Sequence, residues 1–364
     1  MRYIMWKELD ISVCRCDSEQ RKEKPDQANL GFGNHFTDHM FLMKWSREDG
    51  WHDAEICPYQ DFSMDPAAMV YHYGQAIFEG LKAYKGDGGQ IFMFRPEDNL
   101  ERMNSSALRM CMPRIPVETV LKAIKALVYL DRDWIPTGDG ATLYLRPTMI
   151  AVEPALGVRP SEHYYFFVIM SPVGAYYAEG FNPTKIWVTD KYVRAVKGGV
   201  GHVKTAGNYA ASIMAAEEAH RAGYTQVLWL DACERKYIEE VGTSNIFFRI
   251  NDELITPPLG GSILGGITRD SVIQLARSWG ISVTERQITI DEVLAAIEDG
   301  SLQESFGSGT AAVIAPIGEL CYRDRKYVVA DGKTGELSQR LFDELQAIQN
   351  GEQEDPFKWI VRVG

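Results

Sequence analysis

The sequence has no uninterrupted apolar run near the roughly 20 residues that a membrane-crossing helix needs. Its opening, MRYIMWKELDISVCRCDSEQ, lacks the continuous apolar core of a secretory signal, so none is expected there. Positive charge is scarce. Lys and Arg total 38 against 50 Asp and Glu, a net charge of −12 with no long basic run. That balance argues against nucleic acid and against an anionic membrane surface as partners. Cysteine is sparse and scattered, at Cys14, Cys16, Cys57, Cys111, Cys233 and Cys321. Only Cys14 and Cys16 are close, and Cys-x-Cys alone is not a zinc spacing. Reduced thiols in a cytoplasmic protein are the expectation. His35 and His39 could share a helix face, but no third ligand stands nearby, so no metal site is expected. Internal repeats, low-complexity tracts and a G-x-G-x-x-G fingerprint after a strand are also missing.

What remains is a chain of 364 residues, 45% hydrophobic and 24% charged, which suits an ordered protein with room for two domains. Residues 1–35 read as a partly extended arm. FTDHMFLMKW (36–45) reads as a strand closed by the turn SREDG, while 69–86 mixes aromatics and glycines without a clean period. IFMF (91–94) reads as a buried strand. Pro96 then opens a helix with acids in its first turn, and 117–134 carries the three- and four-residue spacing of a second. Strands follow at 141–150 and 164–170. The Pro-, Gly- and Tyr-rich stretch SPVGAYYAEGFNPTK marks a boundary, giving domains over 1–172 and 186–364 joined by 173–185. The second half offers the strand IWVTD, a helix over 208–222, strands over 225–230 and 245–250, and a helix over 268–279 stopped by Gly280. A helix over 290–299, one strand-like segment over 305–315 and a helix over 336–348 finish the chain. The class is α+β, with mixed sheets and flanking helices.

One stretch, GHVKTAGNYAAS, places Lys204 among small residues, with Tyr209 five positions on. It suits a solvated loop lysine, or a lysine that must reach a bound group and leave again. Two glycine-rich turns, GGSILGGITRD and ESFGSGTAA, are compatible with tight turns or with phosphate binding. In the second case the N–H groups of Ile267 and Thr268 and the hydroxyls of Thr268 and Thr310 would be donors. With Arg102 on the first helix, the set suits a phosphorylated cofactor. A lysine that condenses with a carbonyl suits pyridoxal phosphate, whose ring needs a carboxylate at the pyridine nitrogen and a donor at the phenolic oxygen. Glu240 and Tyr209 are the right types, although each alone reads more readily as a surface acid and a helix-face aromatic.

Longer motifs carry a resemblance. HYGQAIFEGLKAYKG, LYLRPTMI, YVRAVKGGVGHVKTAGNYAAS, EEVGTSNIF, TPPLGGSILGGITRDSV and FGSGTAAVIAPIG, in that order, resemble the branched-chain amino acid aminotransferases, which are fold-type IV pyridoxal phosphate enzymes. The resemblance runs from about residue 29 to the end. It implies two domains with mixed sheets and a barrel, and a homodimer with shared active sites. It implies that Lys204 forms the imine, Glu240 meets the pyridine nitrogen, Tyr209 the phenolic oxygen, and Arg102, Ile267, Thr268 and Thr310 the phosphate. Thr310 and Ala311 would hold the substrate α-carboxylate. Phe78, Tyr144, Tyr176 and Thr243 would line the substrate pocket, with Tyr73 and Val158 entering from the partner. The implied reaction passes the amino group of L-leucine, L-isoleucine or L-valine to 2-oxoglutarate. Some relatives carry Cys-x-x-Cys after the second phosphate turn; Ala312 and Ala315 stand there here. A D-amino acid aminotransferase or an aminodeoxychorismate lyase would share the lysine and the glutamate without the LYLRP and EEVGTSN contexts, and a binding protein that has lost catalysis would share the fold.

Dual specificity poses a separate demand, since an apolar pocket must also take the γ-carboxylate of glutamate. On the strand 141–150, Thr142, Tyr144 and Arg146 share one face. Arg146 is therefore the expected cation, unless a structural acid claims it.

Overall fold

The structure is a computed structural model that describes residues 9–364 except 139, 175 and 177–179. Contacts within the chain define two compact units. One comprises Met1–Tyr176, Lys204–Ala206 and Ala347–Gly364; the other comprises Tyr177–Val203 and Gly207–Gln346. The change of unit near residue 176 lies inside the Pro-, Gly- and Tyr-rich stretch. Lys204 and the tail group with the first unit, not with the residues that flank them in sequence. The tail does so because its strand Ile360–Val363 pairs antiparallel with Ile91–Phe94.

The first unit runs β1 (Ser12–Val13), β2 (His39–Ser46), β3 (Gly50–Pro58), α1 (Met69–Tyr73), β4 (Ala76–Phe78), β5 (Leu81–Lys85), β6 (Ile91–Phe94), α2 (Pro96–Arg109), α3 (Val117–Leu130), β7 (Thr142–Ala151) and β8 (His163–Val173). Its sheet has the order β1-β3-β2-β8-β7-β5-β6, then the C-terminal strand, with β4 beside β7. Alternation sets the β7 register: Leu143, Leu145, Met149 and Ala151 are fully buried, while Arg146, Thr148 and Ile150 face a half-open side. α2 begins with Pro96, Glu97 and Asp98 and buries Leu100, Met103 and Ala107, a three- and four-residue stripe. That stripe leaves Arg102 and Ser106, one turn apart, on a neighbouring face. The aperiodic stretch 69–86 is a five-residue helix stopped by Gly74 at φ 59°, followed by two short strands.

The expected N-terminal arm is held at defined points. Cys16 N–H donates to His39 Nε2 at 3.0 Å, and Lys22 N–H donates to Asp38 at 2.9 Å. The other ring nitrogen of His39 lies 2.7 Å from buried Asp131.

The second unit carries β9 (Thr184–Thr189), most of α4 (Ala206–Arg221), β10 (Gln226–Leu230), β11 (Ile238–Val241), β12 (Asn245–Ile250), β13 (Glu253–Thr256), α5 (Ile267–Ser278), β14 (Val283–Glu285), α6 (Ile290–Glu298), β15 (Leu302–Gly309), β16 (Val313–Tyr322), β17 (Arg325–Val328) and most of α7 (Glu336–Asn350). Its sheet runs β11-β10-β9-β16-β15-β12-β13-β14 with β17 beside β16, and mixes parallel with antiparallel pairs. Leu228, Phe248 and Leu320 are fully buried in its core. Each such side chain contributes about 1.5–3 kcal/mol on burial. The single strand expected over 305–315 is a hairpin instead. The chain reverses at Thr310–Ala312, and Val313 takes a left-handed φ of 62°, a strained conformation for a β-branched residue.

Candidate active site

Lys204 lies against β4. Phe78 N–H donates to Lys204 O at 3.0 Å, Thr205 Oγ1 donates to Ala76 O at 2.8 Å, and Lys204 N–H donates to Ser106 Oγ at 3.1 Å. The backbone is thus pinned while Nζ stands 4.7 Å from the centre of the Phe78 ring. Burial pulls the proton affinity of this amine down to about 8; Glu79 and Tyr144 act against that shift, and Arg102 and Arg146 reinforce it.

Arg102 makes two parallel bonds to Glu79, Nε to Oε1 at 2.8 Å and Nη2 to Oε2 at 2.7 Å, and the Glu79 side chain is fully buried. Arg146 donates to Tyr144 Oη at 3.2 Å and stacks over Phe78 at 4.7 Å. Tyr144 lies so close over Gly80 that no Cβ fits there, which explains the glycine of IFEGLK. Phe32 meets both Tyr144 and Tyr176 edge-on at 5.0 Å. Opposite Tyr144 in the sheet, Lys82 is a second buried lysine, its proton affinity lowered to about 8 by burial. Tyr73 and Val158 are exposed on the surface of the single chain.

In the second unit, a small cleft is lined by Arg194, Asn208, Tyr209, Glu240, Thr243 and Leu264, among others. Glu240 is buried. Its Oε1 accepts from Leu264 N–H at 2.8 Å and from Asn245 Nδ2 at 3.4 Å, and Arg194 Nε lies 2.8 Å from its Oε2, out of line for a hydrogen bond. Strand β11 delivers Glu240, and the tight turn between Val241 and Ser244 presents Thr243. Ile267 and Thr268 form the first turn of α5, whose start at Gly266 has no side-chain cap. Gly266 is held so close to Asn245 that a side chain there would collide with it. The same asparagine therefore ties the glycine loop to Glu240. Thr310 and Ala311 occupy the β15–β16 turn, and Ser308 beside it keeps a buried hydroxyl without a protein partner.

Of the sequence-derived residues, Lys204, Phe78, Arg102, Tyr144, Arg146 and Tyr176 belong to the first unit, and Tyr209, Glu240, Thr243, Ile267, Thr268, Thr310 and Ala311 to the second. Sequence reasoning missed four participants. Glu79, Arg194 and Asn245 stand inside the quoted motifs, but only folding shows what they touch. Phe32 sits near the end of the arm read over 1–35, and no local pattern marks it.

The chain matches the class IV amino-transferase family over residues 76–320. It is 55% identical over 343 residues to branched-chain-amino-acid aminotransferase 2 of Bacillus subtilis, covering 94% of each chain. The branched-chain amino acid aminotransferase of Escherichia coli superposes with a TM-score of 0.76 at 27% identity, over 90% of this chain and 99% of that one. The branched-chain amino acid aminotransferase of T.th., solved with pyridoxamine 5'-phosphate, superposes with a TM-score of 0.74 at 26% identity, over 88% of this chain and 98% of the other. Fold, residue order and likeness across nearly the whole length agree: the chain belongs to the class IV aminotransferases and, within them, to the branched-chain amino acid aminotransferase family, with the α+β fold of type IV.

Proposed function

We propose that this aminotransferase carries pyridoxal 5'-phosphate on Lys204 and moves the amino group of L-leucine, L-isoleucine or L-valine to 2-oxoglutarate, giving the 2-oxo acid and L-glutamate. The observation that carries the proposal is the Lys204 amine, buried beside Phe78 with its proton affinity lowered to about 8. Near neutrality such an amine is unprotonated far more often than an ordinary lysine. That is the form needed to attack a carbonyl and to accept a proton.

The donor set fits the cofactor. The buried Glu240 carboxylate and the Tyr209 phenol share one cleft, and the uncapped start of α5 and the unpartnered Ser308 hydroxyl suit an anion. When bound, pyridoxal phosphate supplies an aldehyde and an electron-accepting ring. In this reading Glu240 keeps the ring nitrogen protonated, with Arg194 and Leu264 N–H holding the carboxylate in place. Tyr209 donates to the phenolic oxygen. Arg102, Ile267, Thr268 and Thr310 bind the phosphate. Lys204, once released, carries the proton to and from the substrate Cα. Thr310 and Ala311 receive the α-carboxylate, and Phe78, Tyr144, Tyr176 and Thr243 surround the side chain. Tyr73 and Val158, 39% and 84% exposed in the single chain, suit lining contributed by a partner in a homodimer. No helix among the described residues is long and apolar enough to cross a membrane.

Borohydride reduction of the cofactor-loaded protein, followed by peptide mass analysis, should place the adduct on Lys204, and Lys204→Ala should lose leucine-dependent glutamate formation. An adduct on Lys82, or turnover by Lys204→Ala without added amine, overturns the assignment.

A further inference from the structure

Resting on that reading, we propose that Glu79 is the positioning residue of the phosphate arm: it fixes the plane of the Arg102 guanidinium and supplies a buried negative charge beside Lys204. No local signal singles Glu79 out. It follows Ala76–Phe78 in a stretch without a clean period, and a glutamate there would be expected to face solvent.

The fold places it otherwise. Its backbone N–H donates to Pro147 O at 2.8 Å, anchoring it to β7, and the preceding residue, Phe78, is the one bonded to the Lys204 carbonyl. The side chain is fully excluded from solvent. A buried lone carboxylate is costly, so it requires a partner that satisfies both oxygens. Arg102 does so with a side-on fork, and Asn99 Oδ1, one turn earlier on α2, lies 3.4 Å from Nη2. A guanidinium is planar, so two bonds to one carboxylate fix its orientation as well as its position. An arginine on an unsupported side chain would have to give up rotamer freedom on meeting a phosphate; this one has already lost it.

The same carboxylate acts on the lysine. Of the groups around Lys204, burial dominates and lowers its proton affinity, and Glu79 is the foremost group opposing that shift. One residue therefore couples two jobs, the attitude of the phosphate-binding arginine and the charge state of the reacting amine. A residue holding only the fold would influence neither selectively.

The test compares the affinity of the full-length protein for pyridoxal phosphate and for pyridoxal, which lacks the phosphate, together with the pH midpoint of the lysine-bound absorbance band. The wild type, Glu79→Gln, Glu79→Asp, Arg102→Met and the double variant Glu79→Gln/Arg102→Met are used. Glu79→Gln should lose roughly tenfold in its preference for pyridoxal phosphate over pyridoxal, as expected for a disturbed charge-assisted contact. Its pH midpoint should fall, because a charge that favoured the protonated amine is gone. Glu79→Asp should restore part of both. In the Arg102→Met background, where Glu79 has lost the partner that keeps it charged, the Glu79 change should affect neither quantity. Should Glu79→Gln fail to fold, Glu79→Asp, which keeps the charge on a shorter side chain, still reads the phosphate preference, which should fall. An unchanged preference or an unmoved midpoint in Glu79→Gln overturns the proposal, as does an unchanged preference in Glu79→Asp where that variant stands alone. Failure of wild type to bind pyridoxal phosphate at Lys204 would instead strike the underlying functional reading.

Discussion

Arg146 shows how much of a residue's chemistry depends on who its neighbours are. Its guanidinium stacks on Phe78 and Tyr144 and donates to the Tyr144 hydroxyl, no carboxylate pairs with it among the described residues, and its buried Nε has no hydrogen-bond partner. The structural acid that could have claimed it is absent from that set. A buried donor without a partner costs free energy until something fills the place, and an apolar side chain does not. The γ-carboxylate of glutamate or 2-oxoglutarate would fill it, while leucine would lie along the aromatic faces. Arg146→Gln is accordingly expected to lower specificity for 2-oxoglutarate by at least roughly tenfold, the loss of one charge-assisted contact of about 1.5–3 kcal/mol. The leucine half-reaction should change far less. Separate single-turnover series for the two half-reactions measure this, and equal losses would make Arg146 a scaffold residue.

At the scale of elements, the start of α7 is satisfied from a distant strand. Glu304 on β15 accepts from Leu337 N–H at 3.1 Å, Ser338 N–H at 2.8 Å and the Ser338 hydroxyl at 2.6 Å, and it also pairs with Arg249 at 3.4 Å. A carboxylate at a helix start satisfies orphan N–H groups and meets the positive end of the helix dipole. Here the cap comes from 33 positions away in sequence, which binds α7 to the same strand that leads into the Thr310 turn. Glu304→Ala should cost about 2–3 kcal/mol, combining a lost cap with buried donors left unpaired. Glu304→Gln should cost less, since one acceptor oxygen survives. Urea unfolding with an unchanged slope would report both values. A loss of less than about 0.5 kcal/mol in the alanine variant would mean that water replaces the cap.

At the scale of the whole molecule, the telling feature is apolar surface in the first unit. Tyr71, Tyr73, Leu156 and Val158 are 59%, 39%, 68% and 84% exposed, and the Tyr73 hydroxyl donates to Leu156 O, tying α1 to the loop around Val158. The proposed homodimer would cover these residues, in keeping with the use of larger exposed apolar patches as interaction sites. If a partner chain covers them, a charge placed there must be desolvated on association. Val158→Asp is therefore expected to shift the proposed dimer toward monomer in sedimentation velocity and to lower activity in parallel. A fully active monomer would show that the pocket is complete within one chain.

The sequence alone determined a good deal: the α+β class, the long motifs that identify the family, and the helix that Pro96 and its following acids open. These are local signals. A cap, a turn or a run of motif residues is read within a window of a few positions, and it survives whatever the rest of the chain does. Where the period was unclear, as over 69–86, reading by window failed, and over 305–315 it marked the glycine-rich turn without showing that two strands flank it. Only the tertiary structure decided which groups meet. Glu79 with Arg102, Arg194 with Glu240, Glu304 with α7, and the tail strand with β6 join residues far apart in the chain. Such pairs arise because buried charges and strand edges must be satisfied wherever chain closure brings a partner within reach, and no short stretch of sequence carries that information.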